Sequence, residues 1–178
     1  RWIHQEVERT GAIPMAEVEA VVHSLAAAMH QEEQMLVPLL VLKQYDQYTT
    51  THACNVSVLA MGLAERLGLG PMEVRAVGVA GLLHDIGKVA IPHGLWSRSR
   101  PLSNSEWERV RLHPYYTERI LARPNLLAQL GAIAGCHHEK LDGSGYHRSI
   151  RGDTLSPATR LLAAASGCAD KVHATANS

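Results

Sequence analysis

Phenylalanine is absent from this 178-residue chain, and 3 Trp and 5 Tyr are its only other aromatic residues apart from histidine. Its core must therefore be packed mainly from aliphatic side chains rather than large rings. No sign of charge prevails, since 17 Lys and Arg face 17 Asp and Glu. Without a global field there is no footprint for a nucleic-acid polymer or an anionic membrane surface, and only a local site would draw an anion. The 3 cysteines, Cys54, Cys136 and Cys168, are scattered and form no C-x-x-C pattern. That excludes an obvious disulfide framework or thiolate zinc site, and a reducing cytoplasm is the simplest compartment. Membrane spans need about 18 apolar residues or more; Met35–Leu42 falls short and is broken by Pro38. The polar opening RWIHQEVERT does not start with Met and does not read as a signal peptide, so the chain is expected to be an excerpt.

What the chain has instead is histidine, 11 of them. Its length suits one domain with a short N-terminal appendage. The expected division is residues 1–45 as a helical segment or linker and 46–178 as the main domain. Helical periodicity dominates and no period-two strand stands out, so the expected class is all-α. Helices are expected over Pro14–His30, Glu32–Lys43, Thr50–Leu67 and from Pro71 to near Gly87. Ser103–Glu106 (SNSE) matches a capping box. Pro114 either kinks that helix or starts another. A further helix is expected over Asn125–His138, then a turn-rich stretch, KLDGSGYHRSIRGDT, and a last helix after Ser156-Pro157.

The histidines fall on the apolar faces of these helices. Val56, Leu59, Ala60, Leu63 and Leu67 follow His52 at helical spacing, so His52 faces the core. Val77 and Ala80 lead to His84, Val110 leads to His113, and Leu130, Ile133 and Ala134 lead to His137 and His138. One inward histidine is usually hydrogen-bonded to a backbone carbonyl. Five of them with a carboxylate, Asp85, make a metal-binding set, because ligation supplies the partners that burial withholds. Nitrogen and oxygen donors without thiolate suit Fe, Mn, Zn, Co or Ni. His4, His23 and His30 read as surface or interhelix residues, and Cys54 and Cys136 as small core residues.

The stretch LLHDIGKVAIPHG, with His52 upstream and His113-Pro114 and HHEKLDGSGYH downstream, resembles the HD-GYP branch of the HD-domain metal-dependent phosphohydrolases, from Tyr48 to Arg160. The resemblance implies an HD-domain helical bundle, here with N-terminal helices, around a metal centre. It also implies hydrolysis of the second messenger cyclic di-GMP in many members. Carried over, His52, His84 and Asp85 would hold one ion, Asp85 bridging to a second held by His113, His137 and His138. Asp85 and Lys88 would be the catalytic candidates, Lys88 meeting a substrate phosphate, while Gly143, Gly145 and Tyr146 shape the mouth of the substrate site. Two divalent ions, Fe or Mn before Zn, Co or Ni, would be the cofactors.

The sequence departs from the family pattern in four places. His147 stands where the family has Pro, and Tyr48 stands where trinuclear members have Glu, which favours two ions over three. The ungapped alignment puts Ser166 at the last ligand position; a four-residue insertion, about one helical turn, puts Asp170 there. The family's Arg-rich C-terminal segment has no counterpart, which weakens cyclic di-GMP specificity. The expected partner is a small phosphodiester, with a cyclic dinucleotide as the candidate, and a fused or docked sensor or output domain at the first helices. Two other functions fit the ligand set: an HD-type diiron oxygenase and a nucleotide-binding signalling module whose catalysis has lapsed.

Overall fold

A computed structural model describes residues 2–31, 48–96, 100–122 and 127–176, whose only regular structure is helical. The elements are α1 (Trp2–Thr10), α2 (Met15–Gln31), α3 (Tyr48–Arg66), α4 (Pro71–Leu83), a 3-10 turn (Ile86–Ala90), a helical turn (His93–Trp96), α5 (Asn104–Val110), α6 (His113–Ala122), α7 (Ala128–Ala134) and α8 (Pro157–Ala176). The helix expected over Glu32–Lys43 and the boundary expected at residue 45 lie outside the described residues, as does the Tyr48 side chain.

Helix α4 is the hub. Eight of its residues, Val74 and Val77 through Leu83, are buried, the all-round apolarity of a helix covered on every side. It packs against α2, α3, α7 and α8. Val7, Val18 and Val22 of the two N-terminal helices belong to the same apolar cluster as Val56, Ala60 and Leu162. Helix α1 was not foreseen, because its polar composition hides an i, i+4 pair, Ile3 and Val7, that packs on the core.

The stripe of α3 is rotated from the expected one. Met61 and Ala64 are buried beside Val56 and Ala60, while Leu63 and Leu67 stay exposed; His52 remains inside. Helix α4 stops at Leu83 rather than near Gly87, and the chain tightens there into the 3-10 turn. At Pro114 the structure decides for a new helix, with proline in the first turn where its missing N–H costs nothing. The capping box forms as read: Ser103 accepts from the Glu106 N–H and Glu106 reaches back to the Ser103 N–H.

Candidate metal centre

Helix C-termini leave carbonyls without partners inside the helix, and three histidines exploit this in one way. His84 Nδ1 meets the Gly81 carbonyl at 2.7 Å, His113 Nδ1 the Val110 carbonyl at 2.7 Å, and His137 Nδ1 the Ala134 carbonyl at 2.7 Å. Each contact joins residues i and i−3 at the end of α4, α5 or α7. As Nδ1 carries the proton to donate, Nε2 of each ring is left with a lone pair aimed at the centre.

The Nε2 atoms converge on one carboxylate. Asp85 Oδ2 lies 3.3 Å from His84 Nε2, and Oδ1 lies 3.3 Å from His113 Nε2 and 3.7 Å from His137 Nε2. Among the described residues two groups could hold an ion, His52 with His84 and Asp85, and His113 with His137 and His138, their donor atoms within 4.8 Å of one another in each group. Asp85 is the N-cap of the 3-10 turn, at φ −101° and ψ 6°, in the bridge region where a residue leaves one helix without continuing into the next.

Electrostatics prepares these groups for a cation. Burial, against the opposing charge of Asp85, pushes His113 down to about 4 and His138 down to about 3, and burial with the neighbouring histidines lowers His137 well below its usual value. At neutral pH these rings are uncharged and their lone pairs free. Burial alone would raise the Asp85 carboxyl, but His84, Lys88 and His113 outweigh it and hold it well below the usual carboxylate range. A neutral imidazole set around an ionised, buried carboxylate is a donor set that fits a divalent metal.

Thr117 of α6, fully buried, fixes the turn that carries Asp85. Its hydroxyl accepts from the Gly87 N–H at 2.9 Å and donates to the His84 carbonyl at 2.9 Å, gripping the chain on both sides of Asp85. Gly87 is required at that contact, since a Cβ there would come within 2.0 Å of the His113 carbonyl oxygen. Lys88 Nζ lies 2.5 Å from Asp85 Oδ2 and 5.0 Å from the Trp96 ring centroid.

A cavity of about 370 Å³ opens over this cluster, lined by His52, His84, Asp85, Lys88, His113 and His138 on the ligand side, with Tyr146, Ser166 and Asp170 also at its wall. Tyr146 stacks on His138, ring centroids 4.6 Å apart, and its phenol is pushed up by burial and the Asp85 charge. Asp170 Oδ1 is 3.7 Å from His52 Nε2, while Ser166, one turn earlier on α8, is buried.

The two glycines are not brought to the cavity wall. Gly143 takes φ 78° to turn the loop, and Gly145 packs so tightly on residues 138–140 that a Cβ would come within 2.5 Å of the Glu139 Cα. Their lack of a side chain serves the loop's own turn and close packing. His147, at the family's Pro position, meets Glu118 at 3.1 Å instead of the cavity, and Arg148 also bonds Glu118.

Glu139 was not foreseen either. Its buried carboxylate accepts from the main-chain N–H groups of Arg148 (2.7 Å), Ser149 (3.1 Å) and Ile150 (2.9 Å), tying the loop beyond Tyr146 to the residue next to His138. Its only trace in the sequence is an acid directly after a ligand pair.

Comparison with known proteins agrees with this geometry. An HD domain family model matches residues 34–172. A 3'3'-cGAMP-specific phosphodiesterase of Vibrio cholerae is 37% identical over 66% of this chain and 26% of its own length. A cyclic di-GMP phosphodiesterase of Pseudomonas aeruginosa is 34% identical over 84% of this chain and 36% of its own length. The chain thus spans about a third or less of these two curated relatives. An HDG"Y"P protein of Bdellovibrio bacteriovorus superposes with a TM-score of 0.75 at 22% identity, over 92% of this chain and 54% of that one, a likeness of fold.

Proposed function

Because the chain belongs to the HD-domain family, in its HD-GYP branch, we propose that it is a metal-dependent phosphodiesterase whose substrate is a cyclic dinucleotide, cyclic di-GMP first. The observation that carries this reading is Asp85, whose two oxygens point to different histidines, Oδ2 to His84 and Oδ1 to His113 and His137. A carboxylate so placed suits two ions side by side. His52, His84 and Asp85 would hold one, with Asp170 completing its shell in preference to Ser166; Asp85, His113, His137 and His138 would hold the other. Iron or manganese is the first choice, with zinc, cobalt or nickel compatible with the same donors.

Two bound divalent ions supply Lewis acidity, which lowers the pKa of water and stabilises charge on a phosphodiester. The chain's own groups position the reactants. Hydrogen bonds from Nδ1 to the helix-end carbonyls hold three rings in register, and Thr117 holds the Asp85 turn. Lys88, at the cavity wall, offsets the charge on the non-bridging phosphate oxygens. Tyr146, stacked on His138, forms part of the cavity wall. The names of the relatives support phosphodiester hydrolysis over an oxygenase or a lapsed module. A cytoplasmic location, supported by the free cysteines, and a sensor or output domain coupled through α1 and α2 belong to the same proposal.

The test is an assay of the metal-loaded chain, with Mn²⁺ or anaerobic Fe²⁺, on cyclic di-GMP and 3'3'-cGAMP. Linear dinucleotide or mononucleotide should appear, and Asp85→Asn should lower the rate by about a hundredfold or more, at least the loss seen when a supporting group of a metal site is removed. Protein containing two ions per chain that cleaves neither compound would overturn the reading.

A further inference from the structure

Two of the chain's 3 tryptophans line the cavity over the histidines. Trp96 closes the helical turn His93–Trp96 and is 37% exposed; Trp107 lies in α5 and is 48% exposed. In a chain so poor in aromatic side chains, leaving two indoles open to water at one cavity forgoes the burial that makes them useful in a core. Their neighbours Leu95 and Val110 form, with Ile91, a small apolar cluster distinct from the main core. That cluster supports the wall on which both indoles stand.

Trp96 is also tied to the metal-binding floor. Its ring stands edge-on to His113 with centroids 6.0 Å apart, and Lys88 Nζ lies over it at 5.0 Å while touching Asp85. One ammonium therefore links the site where a phosphate would react to an aromatic face, a separation that a single ribose can span. Beside Trp107, Arg100 lines the same cavity, its guanidinium fixed by Glu106 at 2.8 and 3.0 Å and by the Pro101 carbonyl at 2.9 Å.

We propose that Trp96 and Trp107 form a nucleobase-stacking wall, the specificity subsite that seats a base of the substrate while the attached phosphate meets Lys88. The inference rests on the phosphodiesterase reading for the chemistry that follows, but the base seat itself is a matter of binding. Indole faces accept any base, because every base has a π-face. The wall thus selects nucleotides over other phosphate esters and leaves the choice among bases to other contacts.

The experiment compares GMP with ribose 5-phosphate, which lacks the base, by calorimetric titration of the full chain loaded with Mn²⁺. GMP should bind about tenfold tighter or more, the scale of one base–aromatic stack. Trp96→Ala and Trp107→Ala should each lose most of that preference, Trp96→Phe and Trp107→Phe should keep it, and Trp2→Ala, at the exposed tryptophan of α1, should leave it unchanged. Circular dichroism checks the fold of each variant. Equal binding of the two ligands by the unmodified chain, no binding of GMP, or a preference that survives in the double alanine variant overturns the wall. A parallel assay on bis(p-nitrophenyl) phosphate separates the two ideas: base preference without hydrolysis removes the phosphodiesterase reading alone, and hydrolysis without base preference removes the wall alone.

Discussion

Thr117 shows how much one hydroxyl can hold. It satisfies a main-chain N–H and a main-chain carbonyl within a fully buried contact, and the carboxylate between them is Asp85. Thr117→Val keeps the shape and removes both bonds, leaving two buried polar groups unpaired at roughly 1–3 kcal/mol each. A loss of about 2–6 kcal/mol in urea unfolding is expected, together with weaker metal retention because Asp85 is no longer fixed. Nothing in the sequence singled this threonine out, since it meets residues 30 and 33 positions away. The ligand histidines were legible for the opposite reason: apolar residues at helical spacing lie within a turn or two of each, so local periodicity already aims them inward.

At the scale of elements, the meeting of the 3-10 turn with α6 leaves no room at Gly87. A Cβ would press on the His113 carbonyl oxygen at 2.0 Å and the Thr117 nitrogen at 2.4 Å, both backbone atoms that cannot swing aside. Gly87→Ala should cost about 3 kcal/mol, the upper part of the range for overpacking, read as a lower denaturation midpoint with unchanged slope. Helix α5 offers a pH test. Glu106 lies at about 2 instead of 4.5, held down by its hydrogen bond with Arg100 and then by the Ser103 N–H. Its folded value is below its unfolded one, so its contribution is full above about 4.5 and is lost as pH falls through about 2. The stability gap between the unmodified chain and Glu106→Gln should therefore be constant near neutrality and shrink over that window; a gap that widens on acidification would contradict the assignment. The capping box was readable because both of its partners lie within four residues, whereas the short end of α4 was not: the chain turns there into the segment that Thr117, 30 residues on, holds in place.

For the molecule as a whole, the candidate ligands arise on α3, just past the ends of α4 and α7, at the start of α6, and on α8, so a bound ion ties separate helices together. Ions that bind the folded chain and not the unfolded one add about 4 kcal/mol at a thousand times their dissociation constant. For a domain of this size that amounts to about 10 °C in Tm. Thermal unfolding with and without a chelator should show a drop of that order, and adding Mn²⁺ back should reverse it. An identical Tm in both conditions would mean that the two clusters take up no ion. Among the described residues no helix is long and apolar enough to cross a membrane.

By itself the sequence determined the all-α class, the helix starts marked by proline and capping residues, and the histidines and aspartate that face inward. All of these are local matters, set by spacing within a helix or by neighbours a turn away. Only the tertiary structure decided that Asp170 comes within 3.7 Å of His52, that Gly143 and Gly145 pack against the protein's own loop, and that Trp96 and Trp107 share a cavity with the metal-binding set. Those facts depend on which helix ends meet across the core, and that is fixed by packing around α4, which a reading along the chain does not contain.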